Sequence, residues 1–126
     1  MNIYTMDFNL IITGPRAFDD YDLFVRKCDY YISFINDVNI HILTGSDGHC
    51  EEMAQRYANE RGYALTVYEL DSNAGNRAPS LRNNAMVNDA HGAICFWDGK
   101  SGGVRLTLNT CKRKDIPYKI VRFDEV

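Results

Sequence analysis

The sequence predicts an α/β fold in which a five-stranded, mostly parallel sheet carries helices on both faces, and three observations lead there. Short apolar runs recur along the 126 residues, segments of helical periodicity stand between them, and most runs are followed by a polar, glycine-bearing turn. Runs with little polar alternation suit strands covered on both sides, the habit of parallel sheets. An alternation β-α-β-α-β-α-β-α-β with short, right-handed crossovers closes such a sheet into a three-layer, Rossmann-like sandwich. The predicted strand order is 3-2-1-4-5.

The first strand is read at residues 9–13 and leads to a helix whose apolar stripe is Phe24, Cys28, Tyr31, Ile32 and Ile35. The second strand, 40–44, precedes a helix with Cys50, Met53, Ala54, Tyr57 and Ala58 on one face, stopped by Gly62, with Arg61 set against the helix dipole. A third strand at 64–70 opens into the polar stretch 71–79, DSNAGNRAP, which reads as a long loop. Ser80 then offers a cap for a helix running to about Ala90, closed by His91 and Gly92. The fourth strand is 93–97; a helix over about 104–114 turns Val104, Leu108 and Cys111 inward, Pro117 breaks it, and 118–123 is the last strand.

Residues 1–126 are expected to form one domain, because the chain is near the usual single-domain size. With 45% hydrophobic and 25% charged residues it lies far from disordered, collagen-like or membrane compositions. No basic leader followed by an apolar stretch opens it, so a cytoplasmic location is expected. The net charge of -3 argues against nucleic acid as partner and requires any anion site to be local. Cys28, Cys50, Cys95 and Cys111 show neither CxxC nor zinc spacing, so they are read as reduced core residues, with no metal and no cofactor expected.

In open parallel sheets the ligand sits beyond the carboxyl ends of the strands, where the strand order reverses. The chain places there Gly14, Pro15 and Arg16; Gly45, Ser46 and Asp47; Arg82 and Asn83; and Asp98 with Lys100, Ser101, Gly102 and Gly103. Glycines admit a phosphate close to the backbone, helix N-termini supply free amides, and Arg16 and Arg82 supply charge. Each glycine turn alone is better read as a tight strand-to-helix connection; three such loops on one edge favour an anion site. Glu51 suits the N-terminal dipole of its helix and is also placed to bind a ribose hydroxyl. His49 sits in the Gly45 loop and is a candidate acid or base by its chemistry, but no partner for it is evident. Gly99-Lys100-Ser101 looks like the end of a phosphate loop, yet Ile94 stands where the leading glycine belongs, and no GxGxxG is present.

The succession TGPRAFDD, LTGSDGHCEEMAQRYANERG, Arg82-Asn83-x-x-Met86 and FWDGKSGGV resembles the YspA-like, cpYpsA-related branch of the SLOG superfamily, from about Leu10 to Val121. These are Rossmann-like domains related to the Lonely Guy phosphoribohydrolases and to the DNA-processing-A fold. The resemblance implies a nucleotide pocket lined by Gly14, Arg16, Gly45, Arg82, Asn83, Asp98, Ser101 and Gly103. His49 replaces a glycine and Glu51 an aspartate of the family's second motif, and Thr107 falls where the phosphoribohydrolases carry their catalytic glutamate.

The expected function is binding or sensing of a nucleotide-derived small molecule. The alternatives are cleavage of an N-glycosidic or phosphoester bond, with Asp98 or Glu51 as acid or base, and single-stranded nucleic-acid binding. Relatives and the tyrosine-rich first helix suggest a homodimer, the alternative being that Tyr30 and Tyr31 only cover the sheet.

Overall fold

The computed structural model describes residues 6–46 and 48–123. Its strands are β1 (Met6–Thr13), β2 (Val38–Gly45), β3 (Ala64–Tyr68), β4 (Gly92–Trp97) and β5 (Tyr118–Arg122); its helices are α1 (Tyr21–Ile32), α2 (Gly48–Arg61), α3 (Ala78–Asp89) and α4 (Gly102–Lys114). Every strand pair is parallel and the order is β3-β2-β1-β4-β5, the Rossmann-like order expected from the sequence.

The near absence of polar alternation in β1 has a direct cause. Ile11 and Ile12 point to opposite faces and both are fully buried. Ile12 joins Phe24 and Cys28 of α1, Tyr57 of α2 and Phe96 of β4; Ile11 joins Met86 and Val87 of α3 with Val104 and Leu108 of α4. Two cores therefore sandwich the sheet, and each large side chain in them stabilises the fold by roughly 1.5–3 kcal/mol relative to exposure. All four cysteines are free and buried.

Asp20 starts α1 by accepting the Leu23 N–H at 3.1 Å. Ile35, the last member of the apolar stripe, lies beyond the helix end but still packs on the same core. α1 and α2 are pinned together at Asp29, which accepts the Tyr57 hydroxyl at 2.7 Å and two guanidinium N–H groups of Arg61 at 3.1 and 2.8 Å. Arg61 beside it holds the Asp29 carboxyl below its ordinary range. α2 ends at Gly62, φ +72°, where the Tyr63 N–H reaches back to Ala58 O at 2.8 Å.

Several boundaries differ from expectation. β1 and β2 begin earlier than their apolar runs, because ladder pairing continues back to Met6 opposite Val38 whatever the side chains. The stretch read as a loop contains a 3-10 helix, Ser72–Arg77, started by Asp71, which accepts the Asn73 N–H at 2.9 Å. α3 begins at Ala78, so Ser80 lies inside it and does not cap it; Pro79, whose fixed φ suits a first turn, opens the helix. His91 serves β1 rather than the helix end: its Nδ1 accepts the Asn9 N–H and its N–H donates to Asn9 O, both at 2.8 Å. Among the described residues no helix is long and apolar enough to cross a membrane.

Candidate functional site

The β1-α1-β2 and β2-α2-β3 crossovers lie on one face of the sheet and the two later crossovers on the other, so the winding reverses between β1 and β4. A crevice of about 260 Å³ opens at that switch point, over the carboxyl ends of the strands. Gly14, Pro15 and Arg16 line it after β1, and Gly45 at the end of β2. Arg82 enters from α3, Ser101 and Gly103 from the start of α4. Larger hollows of about 450 and 510 Å³ lie at the amino ends of the strands; the first is walled chiefly by Phe8, Tyr30, Phe34 and other apolar groups. Neither has the glycine loops and helix N-termini that converge on the crevice.

The loops after β1 and β2 are stitched to each other. The Arg16 carbonyl accepts the His49 N–H at 3.1 Å, and Gly48 sits so close that a Cβ there would lie 2.5 Å from the same oxygen, at φ +59°. Only glycine meets both conditions without strain. Gly45 matters for another reason. A Cβ at position 45 would lie 2.7 Å from Arg82 Nη1, so the missing side chain lets the half-buried guanidinium rest against the end of β2.

Asn83 is only 1% exposed and is not among the residues that line the crevice. Its Nδ2 donates to Pro79 O at 3.1 Å and its Oδ1 accepts the Thr107 hydroxyl at 2.6 Å. Successive helical residues point about 100° apart, so the neighbours Arg82 and Asn83 serve different sides of α3.

Asp98 turns back into its own loop, accepting the N–H groups of Lys100 at 2.8 Å and Ser101 at 2.7 Å. The Ser101 and Lys100 amides together hold its carboxyl below the usual range. Trp97 fixes the same turn by donating its indole N–H to Ser101 O at 3.1 Å. Ser101 occupies the N-cap position of α4 without a side-chain cap bond, and the exposed Gly102 starts that helix without lining the crevice.

Ser46 and Glu51 also lie off the crevice wall. The Ser46 N–H donates to Tyr68 O at 3.2 Å, and Glu51 accepts from Gln55 Nε2 at 3.3 Å on the surface of α2. Asp47 lies outside the described residues. The His49 ring stands 3.6 Å from the Glu52 carboxylate, with both side chains largely exposed.

The crevice also takes in Thr13, Thr44, Cys50, Leu70, Pro79, Met86 and Thr107, which the sequence reading did not choose for it. Signals for four of them were present. Thr13 and Thr44 are at or beside the carboxyl ends of β1 and β2, while Pro79 and Met86 stand three residues before and four after Arg82, on its helical face. Thr44 is buried, its hydroxyl donating to Ile12 O at 3.0 Å.

Comparison with known proteins bears on this arrangement. A model of the YspA, cpYpsA-related SLOG family matches residues 8–75, which include the β1 and β2 loops. No curated protein matches the chain. Among solved structures, the C-terminal domain of a hydrogenase from Pyrococcus furiosus is similar at a TM-score of 0.46 and 13% identity, with 95% of this chain and 96% of that one covered. Since the family model spans more than half of the chain, this protein belongs to the YspA, cpYpsA-related SLOG family.

Proposed function

We propose that the crevice binds a nucleotide or nucleotide-derived small molecule and grips it by its phosphate. The observation that carries this reading is the convergence of Arg16 and Arg82 with Ser101 and the glycine loops, with no carboxylate among the described lining residues. Guanidinium groups bind phosphate oxygens through charge-assisted hydrogen bonds, and the N-termini of α2 and α4 add backbone donors. Leu70, Pro79 and Met86 supply an apolar wall for a sugar or base.

Binding is favoured over cleavage because the two carboxylates suggested as acid or base are engaged within their own elements. Asp98 accepts two amides of its loop and Glu51 a side-chain amide of its helix. A general acid for glycosidic cleavage needs a raised pKa, whereas that of Asp98 is lowered.

Thermal unfolding with AMP, adenosine, NAD and cyclic AMP tests the proposal. At a concentration of 100 Kd a ligand of the native state adds about 2.7 kcal/mol of stability. AMP is expected to raise the melting temperature by several degrees and adenosine by much less, and Arg82→Ala should abolish the AMP effect. A flat response to all of the phosphate-bearing compounds refutes the reading.

A further inference from the structure

We propose that the buried pair Asn83 and Thr107 is the positioning element of the crevice, holding Arg82 on α3 opposite the turn formed by Ser101 and Gly103 on α4. The inference rests on the phosphate-binding reading and adds to it a pair of residues that need not touch the ligand's phosphate.

The geometry has three parts. Arg82 and Asn83 are chain neighbours, so locking the Asn83 amide fixes the backbone from which the guanidinium extends. Thr107 stands one helical turn after Gly103, and its Oγ1 also lies 3.3 Å from Gly103 O. The pair thus ties the two walls together, Thr107 being itself part of the crevice lining and Asn83 not, with both residues at most 2% exposed. Other hydrogen bonds between the two helices, Arg113 to Asn84 at 3.0 Å and Lys114 to Asn88, lie farther along at the surface.

The polarity of the link is determined throughout. A carbonyl can only accept, so the Asn83 nitrogen must face Pro79 O, its oxygen must face Thr107, and the Thr107 hydroxyl must donate. Its proton is therefore not available to a ligand phosphate. A buried pair of this kind adds little net stability, since apolar replacement of both partners at the same volume is close to neutral. What it adds is direction: the apolar contacts of Met86 and Val87 with Val104 and Leu108 tolerate small rotations of α3, whereas this chain of donors and acceptors does not.

Calorimetric titration with AMP and with adenosine tests the role in wild type, Thr107→Val, Thr107→Ser, Arg82→Ala and the double variant Arg82→Ala/Thr107→Val. A 1.4 kcal/mol loss corresponds to tenfold in affinity, and Thr107→Val is expected to lower the ratio of AMP to adenosine affinity by about that factor. Thr107→Ser should keep the wild-type ratio. In the Arg82→Ala background Thr107→Val should cost nothing further, because the group being positioned has gone. Asn84→Ala, which removes only the surface link to Arg113, should leave AMP affinity unchanged.

Equal losses for AMP and adenosine, or additive losses in the double variant, would show that the pair only packs the helices, and would overturn the inference while leaving the crevice reading intact. A wild type that does not prefer AMP to adenosine overturns the crevice reading itself and the inference with it. If Thr107→Val does not fold, Thr107→Cys, a weak donor of similar size, is scored by the same ratio.

Discussion

Alanine at position 45 would put a methyl carbon 2.7 Å from Arg82 Nη1 and 3.1 Å from its Cζ. Ordinary contact for such atoms begins near 3.5 Å, so the guanidinium has to retreat by about 1 Å. Hydrogen bonds to a phosphate oxygen span only about 2.7–3.2 Å, and that retreat breaks one of them. A hydrogen bond to a charged group is worth about 1.5–3 kcal/mol, which corresponds to roughly 10- to 150-fold in affinity. The fold is expected to tolerate the change, because the clashing atoms belong to the end of a flexible side chain and Gly45 is not among the positive-φ glycines. Alanine in a compatible conformation even stabilises by about 0.4–1 kcal/mol through the unfolded chain. Gly48→Ala is the contrasting variant: its Cβ meets the Arg16 backbone at 2.5 Å in a left-handed conformation, and it should cost of order 1–3 kcal/mol. Urea unfolding and AMP titration of both variants separate the two effects. Gly45→Ala with wild-type AMP affinity, or with a stability loss as large as that of Gly48→Ala, refutes the reasoning.

Phe24 is fully buried against the rings of Tyr57 and Phe96, and Phe24→Ala should lower stability by about 3–5 kcal/mol in urea unfolding; a loss below 1 kcal/mol would contradict the packing described. Asp29 has its carboxyl pKa lowered by Arg61, so its contribution is full above the ordinary carboxylate range and is lost as pH falls through the lowered value. Unfolding between pH 7 and 3 should therefore show a shallower pH slope for Asp29→Asn than for wild type, and parallel slopes would remove the linkage.

The parallel sheet and both helical layers were legible because the fold depends on strong, repeated signals, whereas the order 3-2-1-4-5 came from the usual Rossmann-like winding and not from any residue. Two-sided burial removes polar alternation from β1, β2 and β4, and the stripes of α1, α2 and α4 follow the helical period. The start of α3 was misread because Ser80 and Pro79 both carry start signals, and proline in the first turn outweighs a serine inside it. In the site, the glycine turns marked the crevice, and Gly14, Gly45 and Gly103 line it together with Pro15, Arg16, Arg82 and Ser101. Asn83 was grouped with Arg82 by adjacency, although adjacent helical residues diverge. The inward donor chain through Thr107 was not legible at all, since sequence spacing does not record which way α3 and α4 face each other. Asp98 was read as a lining residue and, in the alternative, as an acid or base, and only the two short contacts from Ser101 and Lys100 reveal that it holds its own turn.

Trp97 gives this turn an optical handle. It is the single tryptophan of the chain, its indole N–H is committed to Ser101 O, and Arg105 and Arg122 flank its ring at 5.6 and 5.9 Å. Indole emission shifts with local polarity and nearby charge, so a displacement of Ser101 by a ligand in the proposed site would change the colour and brightness of one chromophore with no other tryptophan in the background. Stopped-flow fluorescence on the unlabelled protein can then time the arrival and departure of a ligand, where equilibrium titration reports only their ratio.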